Sequence, residues 1–415
     1  MANTVKLPQL AWYGVRELEL PLPQSWQVAT GNMAGYNRPH MRPAEIMDAI
    51  TNPIGMPPLR DFARGKHEVV ILFDDMARVT RVAEIVPYVL EELAAAGIPD
   101  SRLRFVAACG CHGAMNRLDF ARKLGEATLS RFPVYNHDPF DNCVDVGTTT
   151  GGTRVLINAE VMKCDLKIGI GSIVPHIMAG FGGGGKILLP GVAAFETIQA
   201  LHSQRTHARQ REAVPPVSGM GILEDNPRRR DIDEAVALAH LDVKIDTIVN
   251  LWGETVAIFA GKPSQAYAAG LKEAIAHYLT PPLKDKDIVI ANTFAKANEA
   301  ISGLLIAFPV VSQRGGDVVL IANAPDGQMT HYLMGPFGET IGGQLRLRMK
   351  PPPNVNRLIL FSEYPELSSR NYFEDTGKVL LRHRWEDVLR LLQEQHGANA
   401  RIAVYPNSDI QYSTG

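Results

Sequence analysis

Two imidazoles and an amine close to a run of glycines form the most chemically suggestive part of this sequence. In GIGSIVPHIMAGFGGGGKILLPGVAAFETIQALH, His176, five glycines among residues 180–185, Lys186 and His202 fall within 27 residues. Core packing does not account for such a run. Gly180 and Gly182 to Gly185 give up backbone entropy, and they let main-chain amides approach a phosphate or another anion. The run fits G-x-x-x-x-G-K from Gly180 to Lys186, but Ile187 stands where a P-loop needs a magnesium-holding hydroxyl. The apolar ILLPGVAA that follows argues against a surface linker. After the Pro190-Gly191 turn, residues 193–205 read as a helix, which puts His202 on a rigid element suited to metal ligation.

Two further segments follow strand-like runs. FDDMAR, Phe73 to Arg78, ends the apolar run 68–73, and AACGCHGAMN, with His112, follows the run 103–108. Parallel α/β sheets place their ligand-binding loops at such strand ends, where Arg78 could fork onto a carboxylate or phosphate. Taken alone, each of these polar groups also fits a surface turn or a satisfied structural histidine. Cys109 and Cys111 beside His112 lack the second cysteine pair of a zinc site.

The elements that must position these residues alternate between strand and helix. Strands are expected at 68–73, 103–108, 165–170 and 243–249, with helical periodicity at 82–96, after short β-like runs between residues 9 and 30. A helix over 263–278 stops at Thr280-Pro281-Pro282, and a second series follows with strands near 287–291, 317–322, 357–361 and 402–405. The expectation is an α/β fold of two α/β domains, 1–279 and 280–415, with mostly parallel sheets and an active site in the cleft between them.

A formal net charge of −2 offers no field for nucleic acid or an anionic membrane, which leaves a small molecule as the expected partner. No apolar run approaches the roughly 18 residues of a membrane span, and MANTVKLPQL has no signal-peptide pattern. Four scattered cysteines fit reduced thiols and a cytoplasmic address. Oligomeric state is not legible.

DDMAR at 74–78, GCH at 110–112, IGIGSIVPH with AGFGGGGK up to Lys186, LPGVAAFETI and the histidine at 202 together give a more specific signal. In the order and spacing of these motifs the chain resembles the nickel-dependent lactate racemase family, whose members racemise or epimerise 2-hydroxy acids with a nickel-pincer nucleotide. The resemblance implies that Lys186 holds that cofactor covalently through a thioamide, and that His202 is the protein ligand to nickel beside two sulfurs and one carbon. Soft sulfur and imidazole suit nickel. It implies His112 and His176 as the acid/base pair, with hydride leaving and returning to the cofactor. It places Asp75, Met76, Ala77 and Arg78 in the cofactor-contacting loop, with Arg78, Thr293 and Lys296 on the substrate.

The chain departs from the family pattern at Ala77, where the loop usually has Thr, and at Thr293, where a Gln is usual. These changes argue against lactate itself. Asn298 and Glu299 could meet extra hydroxyls of a polyhydroxy acid, although on a helix opening the second domain such residues are more often solvated or capping. Two other readings stand beside the racemase: a zinc hydrolase or lyase using His112, His176 and His202, and an inactive nucleotide-binding protein that kept the glycine loop.

Overall fold

The strand Val69–Asp74 is buried at all six positions, as a strand covered on both faces must be. Alternation divides its side chains between two cores. Val69, Ile71 and Phe73 pack with the helix Val82–Ala95, while Val70 and Leu72 pack with residues around Ile187 to Val192. In the computed structural model, which describes residues 3–202, 217–334, 348–374 and 376–414, this strand lies inside a six-stranded sheet. The order across that sheet is Thr255–Gly261, Val243–Val249, Leu166–Ser172, Val69–Asp74, Leu103–Ala108, Val134–Asn136. Only Thr255–Gly261 runs antiparallel to its neighbour.

From Val69–Asp74 the chain moves outward on one side to Leu103–Ala108 and Val134–Asn136. It then returns to the other side with Leu166–Ser172, so the strand order reverses between Val69–Asp74 and Leu166–Ser172. The loops leaving the carboxyl ends of these two strands diverge and open a crevice there. These are the loops that carry residues 75–78 and 173–187.

A second six-stranded sheet is parallel throughout, in the order Val379–Arg382, Val355–Phe361, Gly316–Ile321, Ile288–Asn292, Arg401–Tyr405, Gln27–Thr30. Its order reverses between Ile288–Asn292 and Arg401–Tyr405, which makes a second crevice. The mixed α/β class with mostly parallel sheets is therefore as expected. One early segment sits elsewhere than the sequence suggests: Gln27–Thr30 pairs with Arg401–Tyr405, and the hairpin Asn3–Gln9/Arg16–Leu22 packs Leu7, Leu20 and Leu22 into the core of this second sheet. Among the described residues no helix is long and apolar enough to cross a membrane.

Beneath the first crevice lies a buried ion pair. Lys123, fully buried on the helix Arg117–Leu124, places Nζ 2.7 Å from Asp74 Oδ1 and donates to the carbonyls of Arg78 (3.0 Å) and Thr80 (3.3 Å). Replacing the ammonium leaves a buried carboxylate alone. Lys123→Met is expected to lower stability by about 3 to 5 kcal/mol, the scale for removing one partner of a buried pair, read as an earlier urea midpoint.

Candidate active site

At the end of Val69–Asp74, Asp75 turns toward the crevice, and its carboxylate Oδ2 lies 2.6 Å from His112 Nδ1. Its other oxygen accepts the amide of Ala77 at 2.9 Å, which tightens the loop. Burial works to raise the Asp75 carboxyl, but His112, Arg78 and Lys123 outweigh it and hold the group below the usual carboxylate range. An imidazole that donates Nδ1–H to this carboxylate carries its lone pair on Nε2. Met76 turns into the hydrophobic core and Ala77 is buried, so of the four loop residues the side chains of Asp75 and Arg78 carry the chemistry.

His176 is wired the opposite way. Its Nδ1 accepts the amides of Met178 and Ala179, both at 3.1 Å, which leaves the ring proton on Nε2 facing Lys186 Nζ at 3.1 Å. Burial, then the charges of Lys186 and Arg78, push this imidazole well below its ordinary range, so it is neutral. Burial and the neighbouring Arg78 and Arg229 also bring the Lys186 amine down to about 7. At neutral pH a large share of it is free base, the form that accepts a hydrogen bond from His176 and attacks carbonyl-level carbon.

His202 closes the helix Phe195–Leu201, with its Nδ1 2.7 Å from the Ile198 carbonyl. The helix is shorter than the span 193–205 expected from sequence: the described part ends at Leu201, and residues 203–205 lie outside the described residues. The imidazole is nevertheless fixed by the last turn. Burial, with Lys186 nearby, lowers it to about 3, so it is a neutral ring with Nδ1–H bonded and Nε2 available.

The glycine run does a different job from the one its spacing suggests. A Cβ on Gly185 would lie 2.5 Å from Val236 Cγ2 and 2.9 Å from the Ile232 carbonyl; on Gly184 it would lie 2.8 Å from Tyr267, and on Gly183 2.6 Å from Ile173. The amide of Gly184 is already taken by Asp246 Oδ2 at 2.9 Å, and Asp246 is paired with the buried Lys244 at 2.7 Å. Close packing against the helices Pro227–Ala239 and Pro263–His277 accounts for Gly184 and Gly185, and contact with Ile173 and Asp246 for Gly183, so core packing does explain this part of the run.

The second crevice supplies the opposite wall. Lys296 follows Ile288–Asn292; its amide donates to Asp409 Oδ2 at 2.6 Å from beyond Arg401–Tyr405. Burial lowers the Lys296 ammonium and raises the Asp409 carboxyl to about 6. Thr293 is fully buried and donates its hydroxyl to the Ile321 carbonyl at 2.6 Å, so it braces the turn that leads to Lys296. Arg78 reaches across to Glu299, Nη1 to Oε2 at 2.7 Å, and Lys296 Nζ lies 3.9 Å from the same oxygen. Glu299 is thus drawn into the site, not left as a capping or solvated residue.

His331 is a site residue the sequence reading missed. It leaves the loop after Gly316–Ile321, and its ring lies 5.1 Å from that of His112 between centroids. The two segments are tied by a β-bridge between His112 and His331, by Gly113 N to Thr330 O at 2.9 Å and by Tyr332 N to Cys111 O at 2.8 Å. The strand-end rule that singles out His112 applies equally to His331. Among the described residues, Cys111, His112 and His331 form the one group close enough to share a metal ion, so His112, His176 and His202 are not gathered as a three-histidine zinc site.

Comparison with known proteins agrees with the motifs. The lactate racemase N-terminal domain matches residues 13–214. A lactate racemase of Lactiplantibacillus plantarum is 29% identical over 301 residues, covering 71% of this chain and 69% of that protein. One from Thermoanaerobacterium thermosaccharolyticum is 28% identical over 336 residues, covering 79% and 76%. The structure of the lactate racemase apoprotein from the latter organism shares the fold over the whole of both chains, with a TM-score of 0.72 at 22% identity. A protein from Thermotoga maritima matches with a TM-score of 0.65 at 17% identity, covering 91% of this chain and 100% of that one.

The packing account of the glycines can be tested directly. Gly185→Ala is expected to lower stability by about 1 to 3 kcal/mol, the usual range for overpacking, measured in urea. An unchanged midpoint would return the glycine to a ligand-binding role. Motifs, domain match and relatives point the same way: the chain is similar to the lactate racemases, and the lactate racemase N-terminal domain matches it over residues 13–214.

Proposed function

We propose that this chain is an isomerase that inverts C2 of a small 2-hydroxy acid, using a nickel-pincer nucleotide tethered to Lys186 and ligated through His202. The observation that carries the reading is the wiring of four buried basic groups around one crevice. His112 bonds the Asp75 carboxylate through Nδ1, His176 accepts two backbone amides at Nδ1, the Lys186 amine is lowered to about 7, and His202 bonds a carbonyl through Nδ1 and keeps Nε2 available. Homology to racemases supports the reaction class.

The residues fit the cofactor. An amine held near 7 in a buried pocket has the nucleophilicity that covalent attachment needs. A neutral imidazole whose Nδ1–H is bonded to a backbone carbonyl has the outer partner typical of a metal-ligating histidine. When bound, the nucleotide supplies the acceptor and donor for the hydride on C2.

The chain's own groups handle the rest. Arg78 and Lys296 hold the substrate carboxylate, which fixes where C2 lies. His112 Nε2 takes the hydroxyl proton, and the Asp75 carboxylate stabilises the resulting imidazolium. His112 returns that proton to the hydroxyl oxygen at the end of the turnover, and His176 serves the opposite face of C2 as a neutral hydrogen-bond donor through Nε2. Asp75 and Arg78 also meet the nucleotide, with Met76 and Ala77 contributing backbone alone. Substrate turnover in a crevice walled by both sheets keeps the ketone intermediate away from water.

The test is expression with the cofactor's biosynthetic enzymes, followed by chiral chromatography of single-enantiomer 2-hydroxy acids. The wild type is expected to yield the opposite enantiomer and to carry an added mass on the peptide containing Lys186. Lys186→Arg keeps the charge but not the amine chemistry and should carry no adduct; an unmodified Lys186 in active wild type defeats the tether. His202→Ala is expected to fold normally and to lose nickel, measured by elemental analysis, and stoichiometric nickel in that variant would refute the ligand assignment.

A further inference from the structure

Glu299 stands outside the motifs that carry the family resemblance. It lies in the short helical stretch Ala297–Gly303, and the backbone leaves helical geometry at this residue, with φ −122° and ψ 45°. That departure aims its side chain across the cleft rather than along the helix surface. Oε2 takes the Arg78 guanidinium at 2.7 Å and faces Lys296 Nζ at 3.9 Å, while Oε1 has no hydrogen-bond partner among the described residues. The side chain is only a quarter exposed, so solvent does little to screen its charge.

A carboxylate of the protein therefore already occupies the pair of cations that a substrate carboxylate must use. Asp409 lies against Lys296 from the other side, its Oδ2 on the Lys296 amide at 2.6 Å. One incoming carboxylate can still share Arg78 and Lys296. A second would meet fixed negative charge at short range, which selects against it. A neutral donor is favoured instead, because Oε1 is an acceptor with a place to fill.

We propose that Glu299 selects the substrate: it admits 2-hydroxy monocarboxylates that carry a further hydroxyl and rejects dicarboxylates. The proposal rests on the reading of Arg78 and Lys296 as the carboxylate clamp. Glu299 shapes the clamp through charge and a hydrogen bond, without taking part in proton transfer at C2.

The experiment measures Kd by calorimetry for racemic glycerate and racemic malate, on protein purified from cells that make the cofactor, with racemisation followed in parallel. Wild type is expected to bind glycerate at least about tenfold more tightly than malate, and Glu299→Gln to erase or reverse that ratio. Glu299→Asp, which keeps the charge on a shorter arm, should retain the preference with weaker binding. An unchanged ratio in Glu299→Gln overturns the proposal, as does a wild type that prefers malate or a Glu299→Asp variant that behaves like Glu299→Gln. A ratio that shifts as expected while no acid is racemised upholds Glu299 as the selector and refutes the isomerase reading instead.

Discussion

The bond between Lys123 and Asp74 is the constraint on which the site depends. A charged ammonium with no exposure must be fully engaged, and here one carboxylate oxygen and two loop carbonyls engage it. Those carbonyls belong to Arg78 and Thr80, so satisfying Lys123 also fixes the path of the loop. With the loop fixed, Asp75 faces His112 and Arg78 reaches the other wall. The tandem aspartates thus divide the work: Asp74 faces inward to hold the loop, and Asp75 faces the crevice.

The second organising feature is that both sheets reverse strand order, and their reversals face each other. The first offers Asp75, Arg78, His176 and Lys186 from the loops that part there; the second offers Lys296 and Asp409 from the loops after Ile288–Asn292 and Arg401–Tyr405. His112 comes from the next strand end in the first sheet, and His331 from the next strand end in the second. Polar groups thereby reach a buried place without interrupting either sheet's hydrogen bonding. Burial of these polar groups is offset by close partners: Asp75 takes a hydrogen bond from His112, Arg78 pairs with Glu299, and Lys244 with Asp246.

Much of this was legible in the sequence. Apolar runs locate the strands Val69–Asp74, Leu103–Ala108 and Val243–Val249 to within a residue, most plainly Val69–Asp74, whose burial on both faces leaves a nearly unbroken apolar run. The motif set points to the right relatives. What escaped depends on contacts between distant segments. The glycines 183–185 look like a ligand loop until the helices packed on them are known, since local sequence cannot show what a missing Cβ would have struck. Glu299 looks like an ordinary helical acid because its partner, Arg78, is 221 residues away. His331 lies in a loop beyond Gly316–Ile321, and its approach to His112 depends on a β-bridge between segments far apart in sequence.

The placement of Gln27–Thr30 beside Arg401–Tyr405 bears on how the protein is made. An edge strand from the first thirty residues finds its partner some 370 residues later, with the whole first sheet between them. A ribosome delivers the chain in order, so Leu7 and Leu20 of the hairpin, and Trp26 after it, stay without their full core until Arg401–Tyr405 emerges. The first sheet has all of its strands by Gly261, whereas the second is a discontinuous unit that completes only once Arg401–Tyr405 has been made. The cleft, and with it the meeting of Arg78 with Glu299, needs both sheets and so waits on the second.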